Sequence, residues 1–273
     1  PPPVLADSAW KEWMANTKPE EIYYLPAYHR ASEGKADLPL ATEYEKSHQV
    51  HVAGLNVILQ SMVDHAPESR LFYASTCLIF GSQCMAAQNE ETPYQPEEIY
   101  SLTKATGTQL CEIYRNLHGL HVSVGILFNH ESALRAPHFF SQKVIRHAWR
   151  LSQGEPLPPL TLGSLEHEVD WSHAAEFTRA FHLMLTQAPP STVVFASGRG
   201  YRLEAFVRSV FNHYKLDWRE HITQKNDILT RKPGLRVGNP ARLSQLTGWA
   251  SPDDLDSLVQ RLISETEKRL ALL

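Results

Sequence analysis

Apolar positions along this chain switch between a spacing near 3.6 and a spacing of two, the alternation expected where helices and strands take turns. A short helical stretch over 8–16 precedes Glu21, Ile22, Tyr23, Tyr24 and Leu25, which read as a buried strand running into a loop that contains Pro26. Residues 43–65 carry a long amphipathic pattern, with Leu55, Ile58, Leu59 and Met62 on one face. A second strand follows at 71–74, a loop between Pro93 and Pro96, a second long helix at 97–117, and a third strand at 121–128. In that strand Val122, Val124, Ile126 and Phe128 alternate with other residues. The order predicts an α/β protein whose parallel sheet is built from right-handed crossover units.

The second half is less regular. Gly154, Pro156, Pro158, Pro159 and Gly163 mark 151–170 as loop or short edge strands. A helix over 172–186 keeps Phe177, Phe181 and Met184 in register, 193–196 reads as a strand returning to the sheet, and a helix over 202–213 buries Leu203, Phe206, Val207 and Val210. The last helix is expected to start at Ser251 as cap, with Pro252 in its first turn and Asp253 and Asp254 at its positive end. Leu255, Leu258, Val259, Leu262 and Ile263 form its apolar face.

Composition then removes whole classes. At 273 residues, 42% hydrophobic and 21% charged, the chain has the make-up of a soluble globular protein of one large or two modest domains. A net charge of −4 with scattered Lys and Arg offers no basic stripe for nucleic acid. The longest mostly apolar run, 71–80, is too short for a membrane span and contains Ser75 and Thr76. Cys77, Cys84 and Cys111 form no C-x-x-C and cannot all pair, which suits a reducing cytoplasm. Thirteen glycines, the first at Gly34, contain no G-x-G-x-x-G and no phosphate-loop spacing. The opening Pro1-Pro2-Pro3 without Met implies residues upstream.

The chemistry lies in Tyr100 and Lys104, a Y-x-x-x-K pair sharing one helix face. An ammonium beside the phenol favours phenolate and makes Tyr a usable acid/base near neutral pH. On its own such a pair is ordinarily a packed ring and a solvated charge. Here the strand over 71–74 ends in Ser75 and Thr76, at the carboxyl edge where parallel sheets hold ligands, so these hydroxyls can meet a substrate oxygen beside Tyr100.

With Tyr73-Ala74-Ser75-Thr76, Phe80-Gly81, Gly125-Ile126-Leu127-Phe128-Asn129-His130-Glu131-Ser132 and Asp170-Trp171 before His173-Ala174, the pair resembles the extended short-chain dehydrogenase/reductase superfamily of NAD-dependent epimerases and dehydratases. Within it the residues are most similar to the GDP-mannose 4,6-dehydratase family, from about Lys18 to the C-terminus. The resemblance implies a Rossmann-like parallel sheet with helices on both faces, N-terminally incomplete, and a smaller C-terminal α/β lobe. Residues 1–129 would form a partial NAD(P)-binding domain and 130–273 mainly the substrate lobe, with about 165–200 returning to the sheet. It implies Tyr100 as the base that starts hydride transfer to NADP, with NAD as the alternative, Lys104 on the nicotinamide ribose and Thr76 on the sugar. Tyr44, His130 and Arg135 match cofactor-contacting positions, Asn129 a substrate-contacting one, and Leu25 and Ala27 the backbone passing the cofactor. The implied partners are a nucleotide-diphosphate sugar, a GDP-sugar first, and a second copy of the chain meeting it through the helices at 43–65 and 97–117. No metal is implied.

Departures qualify the activity. The family's Glu, which removes the proton next to the 4-keto group, is Leu78 here, and Leu has no proton to exchange. The family's Arg before Asp-Trp is Val169, and Pro26, followed by Tyr28, His29 and Arg30, stands where a small Gly is expected. Only 20 residues precede Glu21, whereas each βα unit takes about 30, so two βα units with the pyrophosphate loop are expected to fall outside this sequence. An upstream segment, a partner segment or a rebuilt edge would complete the sheet. The leading expectation is oxidation at sugar C4 without ordinary dehydration. The rival is an inactive relative serving protein association or nucleotide-sugar sensing.

Other signals carry less. Gly198 and Gly200 after the strand at 193–196 read as a structural turn, His48 and His51 as solvated helix histidines, and Cys77 as a buried small hydrophobe.

Overall fold

Period-two burial around Leu71, Phe72 and Tyr73 sends alternate side chains to opposite sheet faces, and both faces are covered. The computed structural model describes residues 7–28, 38–225 and 234–272; Pro1, Pro2, Pro3, His29, Arg30 and Gly34 lie outside them. In chain order come α1 (Asp7–Thr17), β1 (Glu21–Tyr24), α2 (Leu40–His48), a π-helical turn (Gln49–Ala53), α3 (Gly54–His65), β2 (Arg70–Ala74), a 3-10 turn (Cys77–Phe80), α4 (Ile99–His118) and β3 (His121–Leu127). The second half has β4 (Asn129–Glu131), α5 (Phe140–Ser152), β5 (Leu160–Leu162), β6 (Glu168–His173), α6 (Ala174–Gln187) and β7 (Thr192–Phe195). It ends with β8 (Gly200–Arg202), α7 (Leu203–His213), α8 (Trp218–His221), β9 (Ile222–Gln224), α9 (Ala241–Thr247) and α10 (Leu255–Leu270).

The main sheet is parallel, in the order β1-β2-β3-β7, so four strands end on one edge. On one face Leu71, Tyr73, Val122 and Val124 pack with Leu55, Ile58, Leu59 and Met62 of α3 and with Trp10 and Met14 of α1. On the other, Phe72 stacks on Phe181 of α6 at 4.1 Å between ring centroids, and Phe177 and Phe195 close the cluster. Burying an aromatic or aliphatic side chain of this kind contributes roughly 1.5–3 kcal/mol. The second lobe gathers α5, α7 and α10 around Trp171 and Val169 of β6. Of the segment over 165–200, Thr192–Phe195 joins the main sheet as β7, while Glu168–His173 pairs with β4 and β8 in a separate sheet.

Several boundaries differ from the sequence expectation. The pattern over 43–65 is not one helix: it begins at Leu40 and is interrupted by the π turn. Ser172 lies in β6 and α6 starts at Ala174, because His173 caps it by accepting the Ala175 N–H on Nδ1. Ser251 does not cap the last helix; Asp254 does, accepting the Ser257 N–H at 2.9 Å. Helix α5, to which the sequence reading assigns no element, is amphipathic through Val144, Ile145 and Ala148. His51 is fully buried, not solvated.

Helix α4 lies close against the π turn because Gly107 has no side chain. A Cβ at this position would come within 2.8 Å of the His51 carbonyl oxygen and collide with the buried Tyr73 hydroxyl. Gly107→Ala is therefore expected to destabilise the fold by about 1–3 kcal/mol. Urea unfolding should show a lower midpoint at an unchanged slope.

Candidate active site

Where β1, β2, β3 and β7 end, the chain leaves the sheet in loops that border a cavity of about 490 Å³, closed from the other side by residues of the second lobe. Every residue expected from the sequence except Tyr44 reaches it: Leu25, Ala27, Ser75, Thr76, Tyr100, Lys104, Asn129, His130 and Arg135. Tyr44 stands half exposed on α2, its ring 5.6 Å from that of His48. Leu78 lines the same cavity beside Thr76, and Val169 lines it from β6.

Tyr100 occupies the first turn of α4, held there by a hydroxyl at the helix start. Ser101 Oγ accepts the Glu98 N–H at 3.1 Å and donates to the Glu98 carbonyl at 2.9 Å. This puts the phenol at the positive end of a 20-residue helix, where a negative charge is favoured. Lys104, one turn on, is 1% exposed, and its ammonium does not rest on the phenol as the spacing alone suggests. Nζ donates to the Ala74 carbonyl at 2.7 Å and the Pro26 carbonyl at 3.3 Å, and sits 5.0 Å from the centroid of the Tyr73 ring. It thereby joins the ends of β1 and β2 to α4.

Burial pushes Lys104 down to about 7. An unfolded lysine titrates near ~10.4, so between these values the unfolded chain holds a proton that the folded chain does not. Stability from this group is complete above the unfolded value and is lost as pH falls towards 7. The stability difference between wild type and Lys104→Met is therefore expected to rise with pH by up to about 1.4 kcal/mol per unit between pH 7 and 10. Denaturant titrations at several pH values measure it; a flat difference would mean that the folded chain keeps Lys104 charged.

Small polar contacts fix the rest of the floor. Thr76 Oγ1 accepts the Leu78 N–H at 3.3 Å, and Ser75 Oγ accepts from Thr108 at 2.8 Å. Asn129 Nδ2 donates to the Asp170 carbonyl at 3.4 Å. His130 Nδ1 faces the Phe128 carbonyl at 3.0 Å, so Nδ1 carries the proton and Nε2 is an acceptor, while burial holds its pKa down. Arg135 donates to the His130 carbonyl at 3.1 Å, pairs with Glu131 at 3.3 Å and lies 4.3 Å from the Phe139 ring centroid. Glu131 is a buried carboxyl in the cavity wall, raised by burial against the pull of Arg135 and Ser141.

The sequence reading does not single out several lining residues. Glu131 stands inside the Gly125–Ser132 string, which assigns it no role. His138, His167 and Arg236 come from loop segments with no periodic signal. His167 Nε2 is buried with no hydrogen-bond partner among the described residues, and burial, then Arg236, lowers its pKa. Chemically the site offers a phenol at a helix N-terminus, a buried amine, two hydroxyls at a strand end, and basic groups on the lobe side. Beside Thr76 the wall carries the aliphatic side chain of Leu78, which has no proton to exchange. Among the described residues no group of three His, Cys, Asp or Glu side chains could hold a metal ion, and no helix is long and apolar enough to cross a membrane.

A family model described as GDP-mannose 4,6 dehydratase matches residues 5–262. The chain is 26% identical to GDP-mannose 4,6 dehydratase 1 of Arabidopsis thaliana over 263 residues, covering 94% of this chain and 71% of that protein. It is 32% identical to GDP-mannose 4,6 dehydratase of Drosophila melanogaster over 198 residues, covering 72% and 48%. Among solved structures, RMD from Pseudomonas aeruginosa complexed with NADPH is similar with a TM-score of 0.82 at 18% identity, over 97% of this chain and 87% of that one. UDP-glucose 4-epimerase of Thermotoga maritima with UDP-glucose gives 0.82 at 15% identity, over 98% and 84%. These structural likenesses establish the Rossmann-like fold.

Proposed function

Because the chain belongs to the GDP-mannose 4,6-dehydratase family, we propose that it binds a nucleotide-diphosphate sugar, a GDP-sugar first, and oxidises it at C4 with a nicotinamide cofactor, NADP before NAD. The observation that carries this reading is the convergence of Thr76, of Tyr100 and Lys104 on α4, and of Asn129, from three separate segments, on one cavity. The residues fit the nicotinamide end of such a cofactor. In its protonated form Lys104 has three N–H donors and uses two on Ala74 and Pro26, leaving one for a ribose hydroxyl. A glycine-rich pyrophosphate turn is not among the 273 residues.

When bound, the nicotinamide supplies the hydride acceptor for the sugar C4–H. Tyr100, as phenolate at the N-terminus of α4, takes the proton of the C4 hydroxyl. Thr76 orients that hydroxyl, its backbone fixed by the turn that follows β2. Asn129 meets the sugar from the end of β3, and Leu25 and Ala27 form the wall along the cofactor. With Leu78 beside Thr76, no carboxylate from that position removes the C5 proton, so the chemistry favoured is reversible oxidation at C4, as in an epimerase or reductase, over loss of water.

A second reading is favoured by the same Leu78 together with Val169: a non-catalytic relative that keeps the cavity for nucleotide-sugar sensing or protein association. Calorimetric titration of NADP(H) and NAD(H), then incubation with GDP-mannose and analysis for a 4-keto sugar, separates the two. Cofactor binding with C4 oxidation supports the enzyme; GDP-sugar binding without cofactor binding supports the sensor. In an active chain, Leu78→Glu is expected to create a dehydrated 4-keto-6-deoxy product that the wild type does not make. The proposal extends to a cytoplasmic homodimer or higher oligomer through α2, α3 and α4, or to a partner segment along β1, whose outer edge pairs with no described strand. Light scattering reads the assembly.

A further inference from the structure

His51 sits in the π turn between α2 and α3, fully buried behind the cavity wall, and does not itself line the cavity. Its Nε2 lies 3.0 Å from the Tyr28 backbone N–H, which can only donate, so Nε2 is the unprotonated nitrogen. Its Nδ1 lies 2.8 Å from Thr103 Oγ1. The Thr103 hydroxyl proton is directed to the Ile99 and Tyr100 carbonyls at 2.9 and 3.2 Å, so Oγ1 receives the Nδ1 proton. The two contacts agree on one neutral tautomer. The imidazole also meets the Tyr100 ring edge-on, with centroids 5.3 Å apart at 82°.

From this geometry we propose that His51 is a positioning residue that straps the cavity wall at 25–28 to the helix carrying Tyr100 and Lys104. The strap has two points: His51 holds the Tyr28 amide, and two residues earlier Lys104 holds the Pro26 carbonyl. Between them lies Ala27, which faces the cavity. Through one ring the protein sets the cofactor-side wall, the acceptor under Lys104 and the orientation of the Tyr100 phenol. A π turn suits this use, because its extra residue lets one side chain leave the ordinary helical rows. The functional part of the inference rests on the proposed cofactor reading; the strap itself does not.

The test is hydrogen exchange on the full chain, read by mass spectrometry, together with NADPH titration. His51→Phe keeps a ring against Tyr100 and removes both hydrogen bonds. Amides over 25–28 are expected to exchange at least tenfold faster in this variant, with the protected amides of β2, β3 and α4 unchanged, and NADPH affinity should fall at least tenfold. Thr103→Val removes the acceptor of the Nδ1 proton, along with the hydroxyl's own bonds to helix carbonyls, keeps the Tyr28 contact of Nε2, and should shift both readouts in the same direction by less. The double variant should add little to His51→Phe, since both changes cut one chain of contacts. His51→Gln, which restores one acceptor and one donor, should recover part of the protection. Unchanged exchange at 25–28, or a rise shared by every protected amide, would overturn the strap, and Thr103→Val decides the matter if His51→Phe does not fold. If wild-type chain binds no NADPH, the proposed cofactor reading fails, while the exchange result still judges His51.

Discussion

Tyr100→Phe is expected to lower formation of a 4-keto sugar by roughly a hundred- to ten-thousand-fold, with NADPH affinity within about threefold of wild type. The change removes one oxygen from a side chain at the start of a helix whose cap depends on Ser101 and Glu98, so the helix start stays in place. Lys104 keeps its carbonyls, because its bonds run to the backbone of Ala74 and Pro26. What is lost is the only phenol bordering the cavity among the described residues, and with it the proposed acceptor for the substrate proton. Thermal unfolding should confirm an unchanged melting temperature. Activity that survives at the wild-type rate would move the base elsewhere, with Glu131 and His130 as the next groups to replace.

A change of similar size in stability is expected at Asp170. This carboxylate is fully buried in β6 and gathers donors from two segments. Oδ1 accepts the Ser197 N–H and hydroxyl, both at 2.7 Å, while Oδ2 accepts the Gly198 N–H at 2.9 Å and the Gly238 N–H at 3.4 Å. Burial raises its pKa, and these bonds pull it back. Asp170→Ala would leave those donors without an acceptor, at a cost of about 3–5 kcal/mol. Asp170→Asn keeps one oxygen but turns an amide N–H₂ toward donors, and should cost a smaller share. Urea midpoints at constant slope read both; near-equal midpoints for all three chains would show that solvent takes over the role of the carboxylate. The turn carrying Gly198 and Gly200 is thus a docking point for β6, in keeping with its reading as a structural turn.

Legibility in the sequence differs from element to element. The crossover order was legible because Leu71 to Ala74 and Val122 to Phe128 alternate or run apolar while the helices between them do not. The cavity residues were legible through the strings around Ser75 and Asn129, which sit at strand ends. The path of Lys104 was not, since spacing assigns a helix face but not the route of a four-carbon stem. His51 left a trace: it stands four residues before Leu55, in line with Ile58 and Met62, so it belongs to the apolar stripe more than to a pair with His48. Helix α5 was obscured by its own polar face, where Lys143, Arg146, His147 and Arg150 outnumber the buried apolar Val144, Ile145 and Ala148. For the last helix the sequence puts the cap at Ser251, and only the geometry selects Asp254.

The strand order also sets a timetable for synthesis. Strand β7 pairs with β3, yet it ends at Phe195, 68 residues after β3 ends at Leu127. At about 5–20 residues per second a ribosome needs several seconds to cover that interval. At its start Phe72 and Leu127 have been made, while Phe177, Phe181 and Phe195, which will bury them, follow 50, 54 and 68 residues after Leu127. A nascent chain paused between the two strands would present an oily sheet face to its surroundings, and a chaperone that shields such faces would find its opening there.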